Sequence, residues 1–250
     1  MNFKARLAAR EPMVGTFLKT PSAMVCEVLG RSDLDTVCID AEHSPFDRRD
    51  IDACVHALSA VEKPSLVRIP ANRPEHILNA LDCGSTGLLV PHVRSGEEAS
   101  ALLDNAYYGS GRGYAGSSRA AEYGGRSMAE HKEKSAASTV IIGQIEDAEA
   151  LDQLDDLFAV KRIDAYFIGR ADLSVSLGAN GPNDGQVIEA VEMICRKAAD
   201  ANVTVGMFTS NLDEIPKWRG LGASFFLLSS DHGFMLAGAA VLTEKVRSAF

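Results

Sequence analysis

Eight times along the chain, a short and mostly apolar block is followed by a longer amphipathic stretch. Apolar blocks of strand length without polar alternation are typical of strands whose two faces are both buried. The eight predicted strands are Val14–Leu18, Thr36–Asp40, Ser65–Ile69, Gly87–Pro91, Val140–Ile145, Ala165–Ile168, Val203–Phe208 and Phe225–Ser229. Eight strands that alternate with helices favour an α/β fold of the closed (β/α)8 type, the TIM barrel, over an open sheet.

The amphipathic stretches between the blocks predict the helices. The predicted helices are Pro21–Gly30, Arg48–Val61, Pro74–Gly84, Gly96–Ala106, Ala148–Val160, Val187–Ala201, Asn211–Gly222 and Gly233–Phe250, with a short helix at Met1–Glu11 before the first strand. Because no linker rich in Gly, Ser or Pro divides the chain, residues 1–250 are expected to form one domain.

One segment interrupts the repeat. Residues 107–138 are long, poorly periodic and rich in glycine, and they begin with YYGSGRGYAGSSRAAEYGG. Long connections in compact domains are functional loops or surface excursions, and both interpretations remain open for this segment. Arg112, Arg119 and Arg126 give it a capacity to bind anions.

The balance of charge excludes several classes of partner. With 34 acidic and 25 basic residues among 250, the chain has a formal charge of −9 and no general attraction for nucleic acid or anionic lipid. No apolar run approaches the length of a membrane span, and the N-terminal residues lack the apolar segment of a signal peptide. The five scattered cysteines include no C-x-x-C pair, which is typical of reduced thiols, so a cytoplasmic location is expected.

In a barrel of this class, functional groups lie at the C-terminal ends of the strands and in the loops that follow. Polar residues at these ends are Asp40, Glu42, His43 and Ser44 after strand two, Arg68 after strand three, His92 after strand four, Gln144, Glu146 and Asp147 after strand five, Arg170 and Asp172 after strand six, and Ser229, Ser230, Asp231 and His232 after strand eight.

Two of these residues, Glu146 and Asp172, follow adjacent strands. Paired carboxylates at neighbouring strand ends suit a hard divalent cation, for which Mg²⁺ or Mn²⁺ is expected and Co²⁺ is a further candidate. An open coordination shell would let such an ion hold a substrate. The alternative is structural, because either carboxylate could form a salt bridge and Asp172 could cap a following helix.

Arg68 and His43 are the candidates for acting on a substrate. Arg68 ends an apolar strand, where a guanidinium needs a partner: a carboxylate or enolate oxygen of a substrate, or a carboxylate of the barrel. His43 follows Asp40 and Glu42, and an imidazole oriented by a carboxylate is a good general base near neutral pH. The alternative for His43 is a purely structural role at the start of a loop.

At these residues the sequence resembles the HpcH/HpaI aldolase/citrate lyase family of metal-dependent class II pyruvate aldolases. The matching segments, in chain order, are GTFLK, IDAEHSPFD, LVRIP, LDCGxxGLLVPHV, GQIED, FIGRADLSxSLG and GASFFLLSSDHGF. They span nearly the whole chain in the right order, which makes them together far more specific than any one alone.

The resemblance implies a role for each central residue. Glu146 and Asp172 would bind the metal. Arg68 would contact the 2-oxo group of the substrate and stabilise the enolate. His43, paired with Asp40, would manage the proton of the C4 hydroxyl group.

The resemblance also implies roles at the edge of the site. The backbone at Gly169 and Ala171 would hold the substrate carboxylate, and Arg119 is expected to bind substrate. Members of the family are typically hexamers, built as trimers of dimers with the last helix exchanged, so Asp82 is expected to approach a neighbouring site. The family often has Pro where this chain has Arg170, an extra cation that could bind a second carboxylate or point outward.

Together, the residues and the resemblance predict reversible cleavage of a 4-hydroxy-2-oxo acid to pyruvate and an aldehyde. Three rivals stay open. Lys19, near the end of strand one, could form a Schiff base with the substrate. The same metal site could serve a citrate-synthase-like or citryl-lyase-like enzyme, with Arg170 and Arg119 binding the extra carboxylates. A barrel that has lost catalysis is the third, but it would be expected to lack several of these residues.

Overall fold

The computed structural model describes residues 2–250, and its strands confirm the predicted barrel. Each strand pairs in parallel with the next, and the last pairs with the first. The strands are β1 (Met13–Leu18), β2 (Thr36–Asp40), β3 (Ser65–Arg68), β4 (Gly87–Val90), β5 (Val140–Ile145), β6 (Ala165–Ile168), β7 (Val205–Thr209) and β8 (Ala223–Ser230). Closure of the sheet removes exposed edges and fixes one end of the barrel as the site of all strand C-termini.

Helices surround the barrel. They are α1 (Phe3–Ala8), α2 (Ala23–Gly30), α3 (Arg48–Ala60), α4 (Pro74–Asp82), α5 (Gly96–Ala106), α6 (Met128–Ser138), α7 (Leu154–Ala159), α8 (Arg170–Ser176), α9 (Gly185–Asp200), α10 (Ile215–Gly220) and α11 (Asp231–Arg247). Short 3₁₀ helices cover Arg119–Gly124, Ala148–Gln153 and Leu212–Glu214.

Two apolar cores follow from the alternation of side chains along each strand. One core fills the barrel interior, and the other lies between the strands and the outer helices. On β2, for example, Cys38 faces the interior while Val37 and Ile39 pack against the helices. The interior has an aromatic centre in which Phe167 contacts Phe17 and Phe225 edge to face.

Helix α1 closes the barrel at the N-terminal ends of the strands. Its buried residues Phe3 and Leu7 belong to the interior core, and the Phe3 ring packs edge to face on Phe225. The hydroxyl of Thr204, just before β7, donates to the carbonyl of Leu7 at 2.9 Å. The helix that the sequence predicts at Met1–Glu11 is therefore present in shorter form, and Met1 itself lies outside the described residues.

Two helices fall where the sequence predicts none. α6 occupies the end of the interrupting segment; only His131 and Ser135 are buried on it, so it lacks the apolar stripe that marks a surface helix. Its one clear signal is a capping box between Ser127 and Glu130. α8 begins directly after β6, and Gly169 precedes it without any side-chain cap, so the usual start signal is missing.

The last helix, α11, leaves most of its length uncovered in this chain. Phe234, Met235, Leu236, Val241 and Leu242 are all at least 41% exposed. Contiguous apolar surface of this kind marks a site of interaction with another surface.

The five cysteines are free and buried. Within residues 2–250, no helix is both long enough and apolar enough to cross a membrane.

Candidate active site

The inward face of several strands continues past the apolar interior into polar or small residues. Side chains on a strand repeat their direction every second residue, so a residue two positions after an interior residue also points inward. The residues that extend this face, beyond Phe17, Cys38, Leu66, Ile142 and Phe167, are Lys19, Asp40, Arg68, Gln144 and Gly169. They all lie at the C-terminal end of the barrel, so the fold places these predicted functional residues close together.

Asp40 forms the centre of this region. It is fully buried, and it faces Arg68 across the β2–β3 pair. Its Oδ1 lies 2.9 Å from both Nε and Nη2 of Arg68, and its Oδ2 lies 2.8 Å from Nζ of Lys19. The carboxylate therefore holds two cations at fixed positions above the apolar interior.

The charges of Asp40 and Arg68 keep each other ionised. Burial raises the pKa of Asp40, but the hydrogen bonds and charges of Arg68 and Lys19 outweigh it and lower that pKa to about 2. Burial lowers the pKa of Arg68, and Asp40 more than offsets this, so the Arg68 pKa lies above its ordinary value. The face of the Phe17 ring, 4.5 Å from the guanidinium carbon, supports Arg68 from below.

Beside Arg68, a second group of side chains converges. Donor atoms of Glu42, His92 and Glu146 all lie within 4.8 Å of one another. The His92 backbone N–H donates to Glu146 Oε1 at 2.9 Å, and His92 Nδ1 lies 3.5 Å from the same oxygen. Glu42 Oε2 is buried 3.3 Å from Arg68 Nε but without hydrogen-bond geometry. A buried carboxylate oxygen that lacks a hydrogen bond, next to a second buried carboxylate, fits a bound cation.

The acidity of these carboxyls agrees with that interpretation. Burial, opposed by Arg68 and reinforced by Glu146, raises the pKa of Glu42 to about 7. Burial also raises the pKa of Glu146, and the nearby charge of Asp172 adds to the effect. Carboxyl groups that resist ionisation in isolation are relieved when a cation enters their site.

The position of Asp172 differs from that of Glu146. Within residues 2–250, the converging group contains Glu146 but not Asp172, which is half-buried on the first turn of α8. Gly169 brings that turn against Glu146: a Cβ at Gly169 would lie 2.6 Å from Glu146 Oε2 and 2.8 Å from Gln144 Nε2. A side chain at this position would therefore separate the turn that carries Asp172 from Glu146.

His92 supplies its N–H to Glu146 from an uncommon backbone conformation. Its φ is 55°, in the left-handed region that residues other than glycine rarely adopt. Its Nδ1 also lies 3.0 Å from Asp147 Oδ2. Backbone strain of this kind persists where surrounding contacts impose it, most often at functional sites.

His43 lies at the entrance of the site. Its imidazole is half exposed, with Nε2 3.6 Å from Glu42 Oε2, and its backbone N–H donates to Asp40 Oδ1 at 3.2 Å. The contact between His43 and Asp40 thus runs through the backbone, because Arg68 and Lys19 already occupy the Asp40 carboxylate. The carboxylate nearest to the His43 ring is that of Glu42.

Arg68, His43 and Asp172 line a cavity of about 420 Å³. Its floor contains the aromatic rings of Phe17, Phe167 and Phe208. Its polar lining residues are Lys19, His43, Arg68, Gln144, Arg170, Asp172, Asn183, Thr209, Ser210, Asn211 and Glu214, with Gly169 and Ala171 contributing backbone. A small ligand placed here would contact Arg68 and the Asp172 turn together.

Known proteins share this arrangement of segments. The sequence model of the HpcH/HpaI aldolase/citrate lyase family matches residues 13–237. The chain belongs to this family. It is 32% identical to hydroxypyruvate/pyruvate aldolase of Paraburkholderia phytofirmans over 98% of this chain and 97% of that protein. It is 32% identical to 2-dehydro-3,6-dideoxy-6-sulfogluconate aldolase of Pseudomonas putida over 94% and 92% of the two chains.

A solved structure of this family has the same fold. An HpcH/HpaI aldolase/citrate lyase family protein from Burkholderia cenocepacia superposes with a TM-score of 0.92 at 30% identity, covering 98% of both chains. The family and the barrel predicted from the sequence are both confirmed.

Two of the predicted substrate-binding residues of this HpcH/HpaI family member lie apart from the cavity. Arg119 Nη2 is 2.8 Å from Asp52 Oδ2, and Arg119 lines a separate groove of about 590 Å³ together with Arg112. Asp82 is buried and lies 3.2 Å from Arg112 Nη2. Within one chain, neither residue meets Arg68 or Asp172, so any role of theirs in the site requires a second subunit.

Sequence reasoning assigned no role to several residues that the structure brings into the site. Glu42 and His92 follow strands in the sequence. That position alone indicated that they could lie near Glu146, as they do in the structure. No local sequence pattern pointed to Glu214, because it lies on a 3₁₀ helix after β7 and its partner Arg170 follows a different strand.

Asp40→Asn should destabilise the fold in a pH-dependent way. Because the Asp40 pKa of about 2 lies below the ordinary 3.8, ionised Asp40 stabilises the protein above pH 4. This contribution, about 2 kcal/mol, is lost as the pH falls from about 4 to about 2. The free energy of unfolding of Asp40→Asn should therefore lie about 2 kcal/mol or more below that of the wild type at pH 7 and approach it at pH 2.5.

Urea denaturation with EDTA present at several pH values would measure this difference. Asp33→Asn, at an exposed position, is the matched control and should show no such convergence. A stability gap between Asp40→Asn and wild type that stays constant down to pH 2.5 would contradict the assigned pairing.

Proposed function

We propose that this family member is a divalent-metal-dependent aldolase that reversibly cleaves a 4-hydroxy-2-oxo acid to pyruvate and an aldehyde. It is a carbon–carbon lyase, as are the relatives named for their activity, of which one is a hydroxypyruvate/pyruvate aldolase. The observation that carries the proposal is the buried Arg68, held by Asp40 beside a group of convergent carboxylates and open to one cavity. A guanidinium fixed in this way can stabilise an oxyanion that develops during the reaction.

For the metal, we propose that Glu146 and Asp172 are ligands, with Glu42 and His92 bordering the same ion. The unpartnered oxygen of Glu42 and the raised pKa of Glu146 support this assignment. Mg²⁺, Mn²⁺ or Co²⁺ would suit the oxygen-rich donor set. When bound, such an ion supplies positive charge that favours enolate formation.

The residues of the chain bind and orient the substrate. The Arg68 guanidinium would face the 2-oxo group, and its charge would offset the negative charge that develops on that oxygen as the C3–C4 bond breaks. Backbone at Gly169 and Ala171 would bind the substrate carboxylate. The N–H of Gly169 already donates to the carbonyl of Ile145 at 3.0 Å and fixes the backbone here, so the N–H of Ala171, in the first turn of α8, would donate to the carboxylate.

His43 would take the proton of the C4 hydroxyl group. Loss of that proton lets the C4 oxygen form the aldehyde carbonyl while the electrons of the C3–C4 bond pass into the enolate. Protonation of C3 then gives pyruvate, so one proton leaves the hydroxyl group and one enters at carbon. The half-exposed ring near Glu42 can exchange this proton with solvent.

The rival functions are disfavoured by specific contacts. Lys19 Nζ is 2.8 Å from the Asp40 carboxylate, so this nitrogen is engaged in an ion pair and is not free to attack a substrate carbonyl, as a Schiff base requires. A citrate-type reaction would call on Arg170 and Arg119 for extra carboxylates, but these side chains already pair with Glu214 and Asp52. A barrel without catalysis would not be expected to keep the whole group.

The first experiment follows pyruvate release from a panel of 4-hydroxy-2-oxo acids, with Mg²⁺ or Mn²⁺ and again with EDTA. Release that requires the metal and stops with chelator is the expected result. Pyruvate release that survives EDTA, together with a substrate that borohydride attaches covalently to the protein, would indicate a Schiff base on Lys19. Citrate formed from oxaloacetate and an acetyl donor, without pyruvate release, would favour the citrate-type enzyme instead.

Arg68→Ala should lower kcat/KM by about 30-fold to 1000-fold, which corresponds to about 2–4 kcal/mol of transition-state stabilisation. Arg68→Lys keeps the charge but not the paired contact with Asp40, and it should recover part of the loss. Circular dichroism would confirm that both variants fold. Near-normal turnover of a folded Arg68→Ala would refute the role given to Arg68.

We further propose that the protein is a hexamer, a trimer of dimers in the cytoplasm, in which α11 packs on a neighbouring subunit. The exposed apolar residues of α11 need a cover, and Met24, Val28 and Val175, on helices that follow β1 and β6, form further exposed apolar surface. In such an assembly, Arg119 and Asp82 of one subunit would approach the site of another.

Exchange of α11 predicts that Leu236→Glu combined with Leu242→Glu lowers the mass in solution, because two charges would enter an apolar interface. Glu244→Lys, at an exposed position of the same helix that already carries a charge, is the matched control and should leave the mass unchanged. Sedimentation equilibrium would distinguish hexamer, dimer and monomer. A wild-type monomer, or a double variant that remains hexameric, would contradict the proposed exchange.

A further inference from the structure

Arg170 connects three segments that form the wall of the cavity farthest from Asp40. Its side chain is 7% exposed and starts from the first residue of α8. Nη1 lies 2.7 Å from Glu214 Oε2, after β7. Nη2 donates to the carbonyl of Pro182 at 2.9 Å and to Asn183 Oδ1 at 3.0 Å, in the loop that precedes α9. One guanidinium thus fixes the turn after β6, the loop after α8 and the turn after β7.

Glu214 is held in turn by Trp218. The indole Nε1–H of this buried residue donates to Glu214 Oε2 at 3.0 Å, and its ring lies 5.3 Å from the Arg170 guanidinium carbon. Burial raises the pKa of Glu214, but the hydrogen bonds from Trp218 and Arg170 outweigh it and keep the carboxylate ionised near neutral pH. The Arg170 and Glu214 charges therefore cancel within the wall.

With these charges cancelled, the far wall offers uncharged hydrogen-bonding groups. Asn183 keeps its amide N–H₂ available, since Arg170 uses only its oxygen. Ser210 and Asn211 line the same side of the cavity. A second anionic group placed here would meet the Glu214 carboxylate beside Arg170 and would gain no net attraction. A hydroxyl group could bind the same donors and acceptors without that repulsion.

We infer that Arg170 is a positioning residue whose pairing with Glu214 makes the far wall neutral, so that the site favours hydroxylated, uncharged aldehydes over aldehydes that carry a second carboxylate. This inference rests on the proposed aldolase function. It assigns Arg170 neither of the two roles that the sequence left open, since the side chain is buried and both terminal nitrogens of its guanidinium already have partners within the chain.

The test compares glyceraldehyde with tartronate semialdehyde, which replaces one CH₂OH group by a carboxylate. In aldol addition with pyruvate, the wild type should show the higher kcat/KM for glyceraldehyde. Glu214→Gln keeps the size of the side chain, and its amide oxygen can still accept from Arg170 and Trp218, but it removes the negative charge beside Arg170. It should shift the ratio of the two kcat/KM values toward tartronate semialdehyde by about tenfold or more, the effect of one charge-assisted hydrogen bond.

Variants of Arg170 test its positioning role. Arg170→Met should raise KM for both aldehydes by a larger factor than it raises KM for pyruvate, and Arg170→Lys should restore part of the aldehyde affinity. Arg6→Met is the matched control, because Arg6 pairs with Glu11, before β1, and with Asp35, before β2, at the opposite end of the barrel. It should leave all three KM values unchanged.

Binding measured without turnover separates this inference from the proposed function. Trp218 is the one tryptophan of the chain, so its fluorescence reports ligand binding next to the Arg170–Glu214 pair. Titration with each aldehyde should show the same preference and the same shift in Glu214→Gln. Absence of turnover with a preserved binding preference would overturn only the aldolase function. A wild-type preference for the carboxylated aldehyde, or a ratio unchanged by Glu214→Gln, would overturn the inference.

Discussion

A single buried carboxylate organises the mouth of this barrel. Asp40 lies where an ion without partners would be costly, and it is stable there because Arg68 and Lys19 each place a cation against one of its oxygens. The dependence is mutual, since Arg68 would itself be an unpaired buried charge without Asp40. Arg68 is therefore fixed before any substrate arrives. A group that stabilises developing charge is most effective when it needs no reorganisation during the reaction.

The neighbouring carboxylates have the opposite character. Glu42 and Glu146 lack cations that satisfy them fully, and burial raises the pKa of both. The fold nevertheless brings them together. Gly169, which has no side chain, lets the following turn approach Glu146, and His92 donates its N–H to Glu146 from a left-handed backbone conformation. Stability alone gives no reason to collect unsatisfied carboxylates around a strained residue. A cation that enters this group gives one, because it would offset the repulsion that the structure otherwise carries.

The sequence predicted these features unevenly, for physical reasons. Strands β1–β8 were predictable because apolar blocks buried on both faces leave a strong local pattern, and strand ends pointed to Asp40, Arg68 and Glu146. Helix α8 was not, since Gly169 provides no side-chain cap. The sequence also left open whether Arg68 pairs with a substrate or with a carboxylate of the barrel. Its pairing with Asp40 follows from the register of β2 and β3, which local sequence patterns do not specify. Contacts such as Arg170–Glu214 join residues 44 positions apart and leave no local signal.

The cavity is consequently divided by charge. On the side of β1 to β3, Arg68 and Lys19 would face the part of the proposed substrate that becomes negative. On the side of β6 and β7, Arg170 and Glu214 cancel, and neutral polar groups remain. The first side consists of residues at the strand ends, which the barrel fixes. The second consists of loops joined by one guanidinium, so a change of one charge there could alter the accepted aldehyde without disturbing Asp40. Under the proposed function, reaction and specificity would thus depend on separate parts of the same barrel mouth.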